Sequence, residues 1–287
     1  MTERIEVVEF KDVETFLEQC ESLMLGRETE NNLILGLADA MAKKSREISA
    51  PLFLGVLEND KVVGAGVRTD QARPLSITKM EDHHISPLCS KIKELGYRLA
   101  GVVGEEKTSE KFSRVYSSMY SVESTLFMYQ GVYELHNVIE PNSNGNELVL
   151  ATNSEIETVQ EFIEGFIREC FPNNINVKDE VEVMAKRHIN NKTLYLLRTS
   201  NGQFVSMAAN NRATKNSACV SLVYTPNKCR GNGYGSLVTA MVSKKMLDNG
   251  KAFCTLFTDL TNPTSNSIYK KIGYEMIGKS KHFEFKE

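Results

Sequence analysis

Apolar and polar residues form two kinds of pattern along this chain, and each pattern predicts one kind of element. The apolar runs at 52–57 and 62–67, on either side of polar residues, predict a hairpin that turns between Glu58 and Lys61. Residues 97–104 and 124–135 are also typical of strands, whereas residues 13–25 and 110–120 have the apolar spacing of helices. The first half of the chain is therefore expected to mix strands and helices.

The second half repeats this order more legibly. Residues 148–152 are typical of a short strand, and residues 154–171 of an amphipathic helix. Ser154 and Glu157 are expected to form a capping box at the start of that helix. The remaining expected elements are a hairpin at 193–212 turning at Ser200 to Gly202, strands at 217–225 and 252–258, helices at 236–250 and 265–273, and a pair of strands at 274–285.

A cluster of turn-forming residues, IEPNSNGNE at 139–147, separates the two halves. With 287 residues, the chain is long enough for two domains. The alternation of strands and helices predicts an α/β (α+β) fold in which each domain has a mixed central sheet flanked by helices. We place the domains at residues 1–140 and 146–287.

Composition and charge restrict the class of protein. The chain is 41% hydrophobic and 25% charged, which is typical of globular domains, and its net charge of -3 argues against a nucleic-acid partner. Its six cysteines form no CxxC pair, which favours a reducing compartment over disulfides or zinc. No 18-residue apolar run and no signal-peptide pattern occur, so a cytoplasmic protein without a membrane partner is expected.

The stretch VYTPNKCRGNGYGSL, residues 223–237, places three glycines between an expected strand and an expected helix. The first amides of a helix are unpaired and carry partial positive charge, so they attract phosphate, and glycines let the anion approach. Arg230 could add a charge-assisted contact. The spacing fits neither a P-loop nor a dinucleotide fingerprint. A glycine cluster alone leaves two interpretations open, a tight turn and an anion site.

The spacing Arg-x-x-Gly-x-Gly, formed by Arg230, Gly233 and Gly235, resembles the coenzyme A loop of the GNAT superfamily of N-acyltransferases. A second resemblance lies downstream, where Asn262 precedes Tyr269 by seven residues and Gly-Tyr follows at 273–274. The two motifs have the order and separation of the family and cover about residues 146–287. The resemblance implies tandem GNAT-like domains, of which the second is catalytic.

The resemblance also implies a role for each matching residue. Main-chain groups at 223–225 would pair with pantetheine, amides at 231–236 would hold the diphosphate, and Asn262 would bond the cofactor from the side. Tyr269 would be the catalytic acid that protonates the departing thiolate. Structural alternatives stay open, namely a core tyrosine, a turn-forming Asn262 and a solvated Arg230. The expected acetyl-CoA-binding residues are Val223, Tyr224, Thr225, Arg230, Gly231, Asn232, Gly233, Tyr234, Gly235, Ser236 and Asn262.

The N-terminal half carries no such glycine loop. After Gly104 the chain reads EEKTSEKFS, and its two adjacent carboxylates would repel a diphosphate. We therefore expect a degenerate GNAT-like copy that walls a substrate cleft, with an unrelated α/β domain as the alternative.

The implied activity is direct transfer of an acetyl group from acetyl-CoA to a primary amine of a small molecule or peptide. The general base is not identified. Asp259 is one candidate but suits a turn equally. Glu169 is expected to be solvated and His188 to lie at the surface. The pair His83–His84 is expected in a loop without a further ligand, so no metal site is expected.

Three other classes of protein stay open: an acyl-CoA sensor without turnover, an interaction scaffold and a nucleotide-binding protein. The sequence also leaves open the amine acceptor, the acyl chain length and the oligomeric state, a homodimer included.

Overall fold

The computed structural model describes residues 4–43, 49–171 and 177–286. The chain divides into two compact units, and neither unit is one continuous piece of chain. The first comprises residues up to Val132, Thr258–Thr261 and the chain from Met276 onward, and the second comprises Tyr133–Phe257 and Asn262–Glu275. Each unit has a mixed sheet with helices packed on it, which confirms the predicted α/β fold.

The elements are numbered in chain order. The strands are β1 (Ile5–Phe10), β2 (Leu52–Glu58), β3 (Lys61–Arg68), β4 (Leu75–Ile77), β5 (Gly101–Glu105), β6 (Glu123–Leu135), β7 (Glu147–Leu150), β8 (Leu194–Arg198), β9 (Phe204–Asn211), β10 (Ser217–Tyr224), β11 (Phe253–Asp259) and β12 (Glu275–Lys286). The α-helices are α1 (Val13–Leu25), α2 (Asn32–Ala42), α3 (Asp82–Glu94), α4 (Glu106–Tyr120), α5 (Ile156–Cys170), α6 (Val177–Asn190), α7 (Tyr234–Asp248) and α8 (Pro263–Lys271).

In the first unit the strand order is β1-β2-β3-β4-β5-β12, with β4 and β5 parallel and the other neighbours antiparallel. Alternate residues of β2 enter two different cores. Leu52, Leu54 and Val56 pack with α3 and α4, while Phe53 packs with α1 and α2. The two-residue period of the strand thus places one apolar layer on each face of the sheet.

In the second unit the order is β7-β8-β9-β10-β11, with β10 and β11 parallel and the other described neighbours antiparallel. Strand β8 alternates in the same way. Leu194 and Leu196 pack against α5 and α6, and Tyr195 and Leu197 lie in the core that contains α7 and Tyr269. Helix α7 is therefore seated on one face of the sheet, with its first turn beside the end of β10.

In each unit one helix connects two parallel strands, α3 between β4 and β5 and α7 between β10 and β11. The counterpart of the glycine loop in the first unit is therefore the connection 78–81, which contains no glycine. The prediction that this counterpart follows Gly104 is wrong. The chain there begins α4, and Glu105 caps it by accepting hydrogen bonds from the main-chain N–H (3.0 Å) and hydroxyl (2.9 Å) of Thr108.

Several local predictions also need correction. The capping box before α5 is formed by Thr152 and Glu155, not by Ser154 and Glu157, because a 3-10 turn at Asn153–Glu155 precedes the helix. His83 and His84 lie in the first turn of α3 rather than in a loop. The expected terminal pair of strands is the single strand β12, which pairs with β5 in the first unit. Elements not predicted are β1, β4, α2, α3 and α6.

Candidate functional site

The glycine loop joins β10 to α7 and takes a conformation that other residues rarely adopt. Gly231 has φ +82° and Gly233 has φ +77°, both in the left-handed region. A side chain there would strain the backbone, so these two glycines are required by the turn itself. Gly233 is also the N-cap of α7, and no side chain caps that helix.

The main-chain amides of this loop make no hydrogen bond to an acceptor in the part of the chain that the structure describes. The N–H of Leu237 bonds the carbonyl of Gly233 (3.0 Å), but among the described residues no acceptor takes the N–H groups of residues 231–236. Unpaired amides at a helix start, together with the helix dipole, concentrate partial positive charge. The loop therefore has the chemistry of an anion cradle.

Gly235 is not explained by the fold. It lies inside the first turn of α7 with a negative φ, and a Cβ added to it would meet Thr225 Oγ1 and Ile268 Cδ1 at 3.5 Å, an ordinary contact distance. Alanine is the better helix former at such a position. A ligand that approaches the backbone closely would account for the glycine.

Arg230 stabilises the loop through a hydrogen bond and an ion pair. Its Nε donates to the carbonyl of Thr225 (2.9 Å), and its Nη2 contacts both carboxylate oxygens of Glu169 in α5 at 2.7 and 2.6 Å. Both side chains are exposed, so this ion pair contributes at most about 1 kcal/mol. Glu169 is exposed, as expected, and it also pairs with Arg230. A diphosphate contact by Arg230 requires the guanidinium to give up or share this partner.

Asn232 also supports the loop from within. Its side-chain amide donates to the carbonyls of Cys229 and Arg230, both at 3.1 Å. Residues 232–234 form one wall of a cavity of about 490 Å³ in the second unit. Its lining also includes Pro141, Leu237 and hydroxyl and amide side chains from the segment 142–146 and the β8–β9 turn. The side chains that line this cavity are therefore mainly polar and uncharged.

The end of β10 leaves its partner strand. Parallel pairing with β11 runs only from Ser217 to Cys219, and a bulge follows in which Leu222 has φ +50°. Val223, Tyr224 and Thr225 lie beyond that pairing and are half-buried. A strand edge that diverges from its neighbour can accept an extended ligand as an added strand.

Ser206, which sequence reasoning missed, holds this strand end in place. Its hydroxyl donates to the carbonyl of Tyr224 (2.9 Å) and lies 2.9 Å from Thr225 Oγ1. The signal available in the sequence was a serine between Val205 and Met207, in the expected strand, and the structure buries it fully. Such a hydroxyl needs a hydrogen-bond partner.

Tyr269 lies in α8 and belongs to the core around α7, packed edge-on against Tyr274 at 6.2 Å between ring centroids. Burial raises the pKa of its phenol well above the ordinary value of 10.0, the nearby Cys170 thiol raises it further, and a hydrogen bond with Ser265 lowers it. The phenol therefore stays protonated across the physiological range. This is the state that a proton donor needs.

Asn262 caps α8. Its side-chain oxygen accepts the N–H of Ser265 (3.0 Å), and its carbonyl accepts from the side chain of Asn266 (2.6 Å). The turn-forming role left open by the sequence is therefore present in the structure. Asp259 similarly accepts the N–H and hydroxyl of Thr261, both at 2.8 Å.

His188, expected at the surface, is buried instead. Its Nδ1 lies 2.8 Å from Thr193 Oγ1, and burial followed by the charge of Arg187 lowers the pKa of the imidazole to about 4. The imidazole is therefore neutral and enclosed, which is the environment of a structural residue.

No described helix is both long and apolar enough to cross a membrane.

Comparison with known proteins points to one fold. Residues 200–283 match the model of the family described as FR47-like protein, a segment that includes the glycine loop and α8. No curated protein matches the chain. Solved structures with similar folds include a GNAT-family acetyltransferase from Colwellia psychrerythraea (12% identity over 99% of this chain and 100% of that one, TM-score 0.58).

Two further structures also match along nearly their whole lengths. A tandem GNAT protein from the clavulanic acid biosynthesis pathway has 11% identity over 99% of this chain and 98% of its own, with a TM-score of 0.58. A Drosophila protein has 12% identity over 98% of both chains, with a TM-score of 0.66. At such identities the likeness establishes the fold alone.

Proposed function

We propose that this chain is an N-acetyltransferase that uses acetyl-CoA. Its fold is that of the GNAT proteins, which confirms the resemblance found in the sequence. The observation that carries the proposal is the loop 231–236, whose amides have no protein acceptor among the described residues and whose Gly235 the fold does not explain. The second unit, which contains this loop, would be the catalytic domain.

The loop would bind the diphosphate of acetyl-CoA through main-chain N–H groups at the start of α7. Val223, Tyr224 and Thr225 would hydrogen-bond the pantetheine arm along the strand edge that diverges from β11. Arg230 would add positive charge next to Gly231, at the expense of its ion pair with Glu169. Asn262 caps α8 through its side-chain oxygen, and its side-chain NH₂ would contact the donor.

The reaction needs one proton donor for the leaving sulfur. A neutral primary amine attacks the thioester carbonyl carbon, and the resulting tetrahedral intermediate expels the thiolate as the C–S bond breaks. Tyr269 would give its phenolic proton to that sulfur, since burial keeps the phenol protonated. The amine loses its proton to a base that we do not assign, because Asp259 is held by Thr261.

Calorimetric titration of the full chain with acetyl-CoA tests the proposal, followed by release of free thiol with a panel of primary amines. Binding with thiol release and amine acetylation is the expected result. Binding without turnover for any amine would favour an acyl-CoA sensor instead. Absence of both heat and thermal shift would remove the acetyltransferase proposal, and the same titration with ATP would identify a nucleotide-binding protein.

A further inference from the structure

Three potential metal ligands meet in the first unit at the position where α3 begins. Glu58 Oε1 lies 2.9 Å from His83 Nε2 and 3.4 Å from His84 Nε2. One ligand atom from each of these residues lies within 4.8 Å of the other two. His84 is buried, Glu58 is half-buried and His83 is exposed, so the cluster opens to solvent on one side.

Rigid elements hold these side chains. Glu58 ends β2 at a two-residue hairpin turn in which Asn59 and Asp60 have φ +49° and +63°, the signature of a type I′ turn. His83 and His84 lie in the first turn of α3, which is anchored by its buried apolar face. A cluster on a strand end and a helix requires little reorganisation to bind an ion.

Hydrogen bonding does not fully account for the burial of His84. Its Nδ1 is buried and has no partner among the described residues. An ion on Nε2 would fix the proton on Nδ1 and leave this buried nitrogen an unpaired donor, a cost that the coordination bonds must exceed. Both imidazoles also converge on one carboxylate oxygen, so a single atom must serve two donors.

The donor set is that of a divalent d-block cation. Imidazole nitrogen and carboxylate oxygen suit Zn²⁺ and its neighbours, and three protein ligands leave one position for water. The start of a helix opposes a cation through its dipole, and Lys61 lies opposite Glu58 in the hairpin. The carboxylates of Glu81 and Asp82 at the start of α3 counter both effects in part.

We propose that Glu58, His83 and His84 form a binding site for a divalent d-block cation such as Zn²⁺. The ion would replace the imidazole–carboxylate hydrogen bonds and tie the β2–β3 turn to the first turn of α3. Sequence reasoning missed the site because the third ligand lies 25 residues before His83 and is brought to it only by the packing of α3.

The test uses the full chain without an affinity tag, stripped of metal and titrated with Zn²⁺ by calorimetry. We expect one ion per chain and a higher Tm, because a ligand that binds only the folded state stabilises it. With Co²⁺ as the probe, visible d–d absorption should report nitrogen and oxygen ligands. Glu58→Gln and His83→Asn should each weaken binding by at least about 100-fold, since even residues that merely support ligands change metal affinity 10- to 100-fold.

His136→Asn is the matched control, because His136 pairs with the single carboxylate Glu134 at 2.6 Å and lacks a second imidazole. It should leave the affinity unchanged. The metal-free His83→Asn variant should keep the Tm of the parent within a few degrees, because His83 is exposed. The proposal is overturned if the parent chain binds no Zn²⁺ or Co²⁺, or if both variants at the site bind as tightly as the His136 control.

Discussion

Replacing Gly235 by Ala separates a role in ligand binding from a role in folding. The added Cβ would lie 3.5 Å from Thr225 Oγ1 and from Ile268 Cδ1, so the free protein has room for it. Because alanine is favoured over glycine within helices by up to about 1 kcal/mol, the variant should be as stable as the parent or slightly more stable. A change in stability therefore cannot explain a change in binding.

The same methyl group would obstruct an anion that approaches the main chain at the start of α7. Losing one hydrogen bond to a charged group costs about 1.5–3 kcal/mol, which corresponds to a roughly 10- to 150-fold weaker affinity. Calorimetric titration with acetyl-CoA measures this loss, and urea unfolding measures the stability of the same samples.

Gly250→Ala provides the control at the other end of α7. Gly250 has φ +91° and no neighbour within 4 Å of an added Cβ, so alanine would strain the backbone there without touching the loop. We expect lower stability and an unchanged affinity for acetyl-CoA. If Gly235→Ala binds acetyl-CoA within twofold of the parent, the anion-cradle interpretation of the loop is refuted.

Further variants test the other parts of the site. Tyr269→Phe should lower kcat by about 10²–10⁴-fold with little change in cofactor affinity, and an unchanged rate would exclude Tyr269 as the acid. Arg230→Ala should weaken acetyl-CoA binding about tenfold or more. Glu169→Gln should strengthen acetyl-CoA binding, because it releases the Arg230 guanidinium from its ion pair. Weaker binding would instead mean that the ion pair only supports the conformation of the loop. In the folded protein the pKa of His188 is lowered from 6.5 to about 4. As the pH falls, the unfolded chain therefore takes up a proton before the folded chain does. The free energy of unfolding should thus decrease between pH 6.5 and pH 4, by at most about 3 kcal/mol. His188→Gln should flatten that dependence in urea unfolding at pH 7 and 5, and an equal slope in both proteins would contradict the assignment.

Local pattern was sufficient where an element is long and its period unbroken. The hairpin at 52–69 follows from two apolar runs on either side of a polar turn, and the amphipathic helix α5 follows from helical spacing. Helix α3 was missed because it contains Pro87, which is unfavourable within helices, and because polar residues fill its first turn. Its buried apolar residues, among them Ile85, Leu88 and Ile92, take effect only once a sheet lies beneath them.

The sequence by itself determined the alternation of strands and helices, the glycine turn before α7 and the resemblance to GNAT proteins. These depend on residues close together in the chain, where side-chain period and backbone freedom act directly. Only the tertiary structure decided that β12 pairs with β5, that Glu169 holds Arg230 across 61 residues, and that Glu58 meets His83 and His84. Such contacts depend on which elements pack together, and no local period encodes that choice.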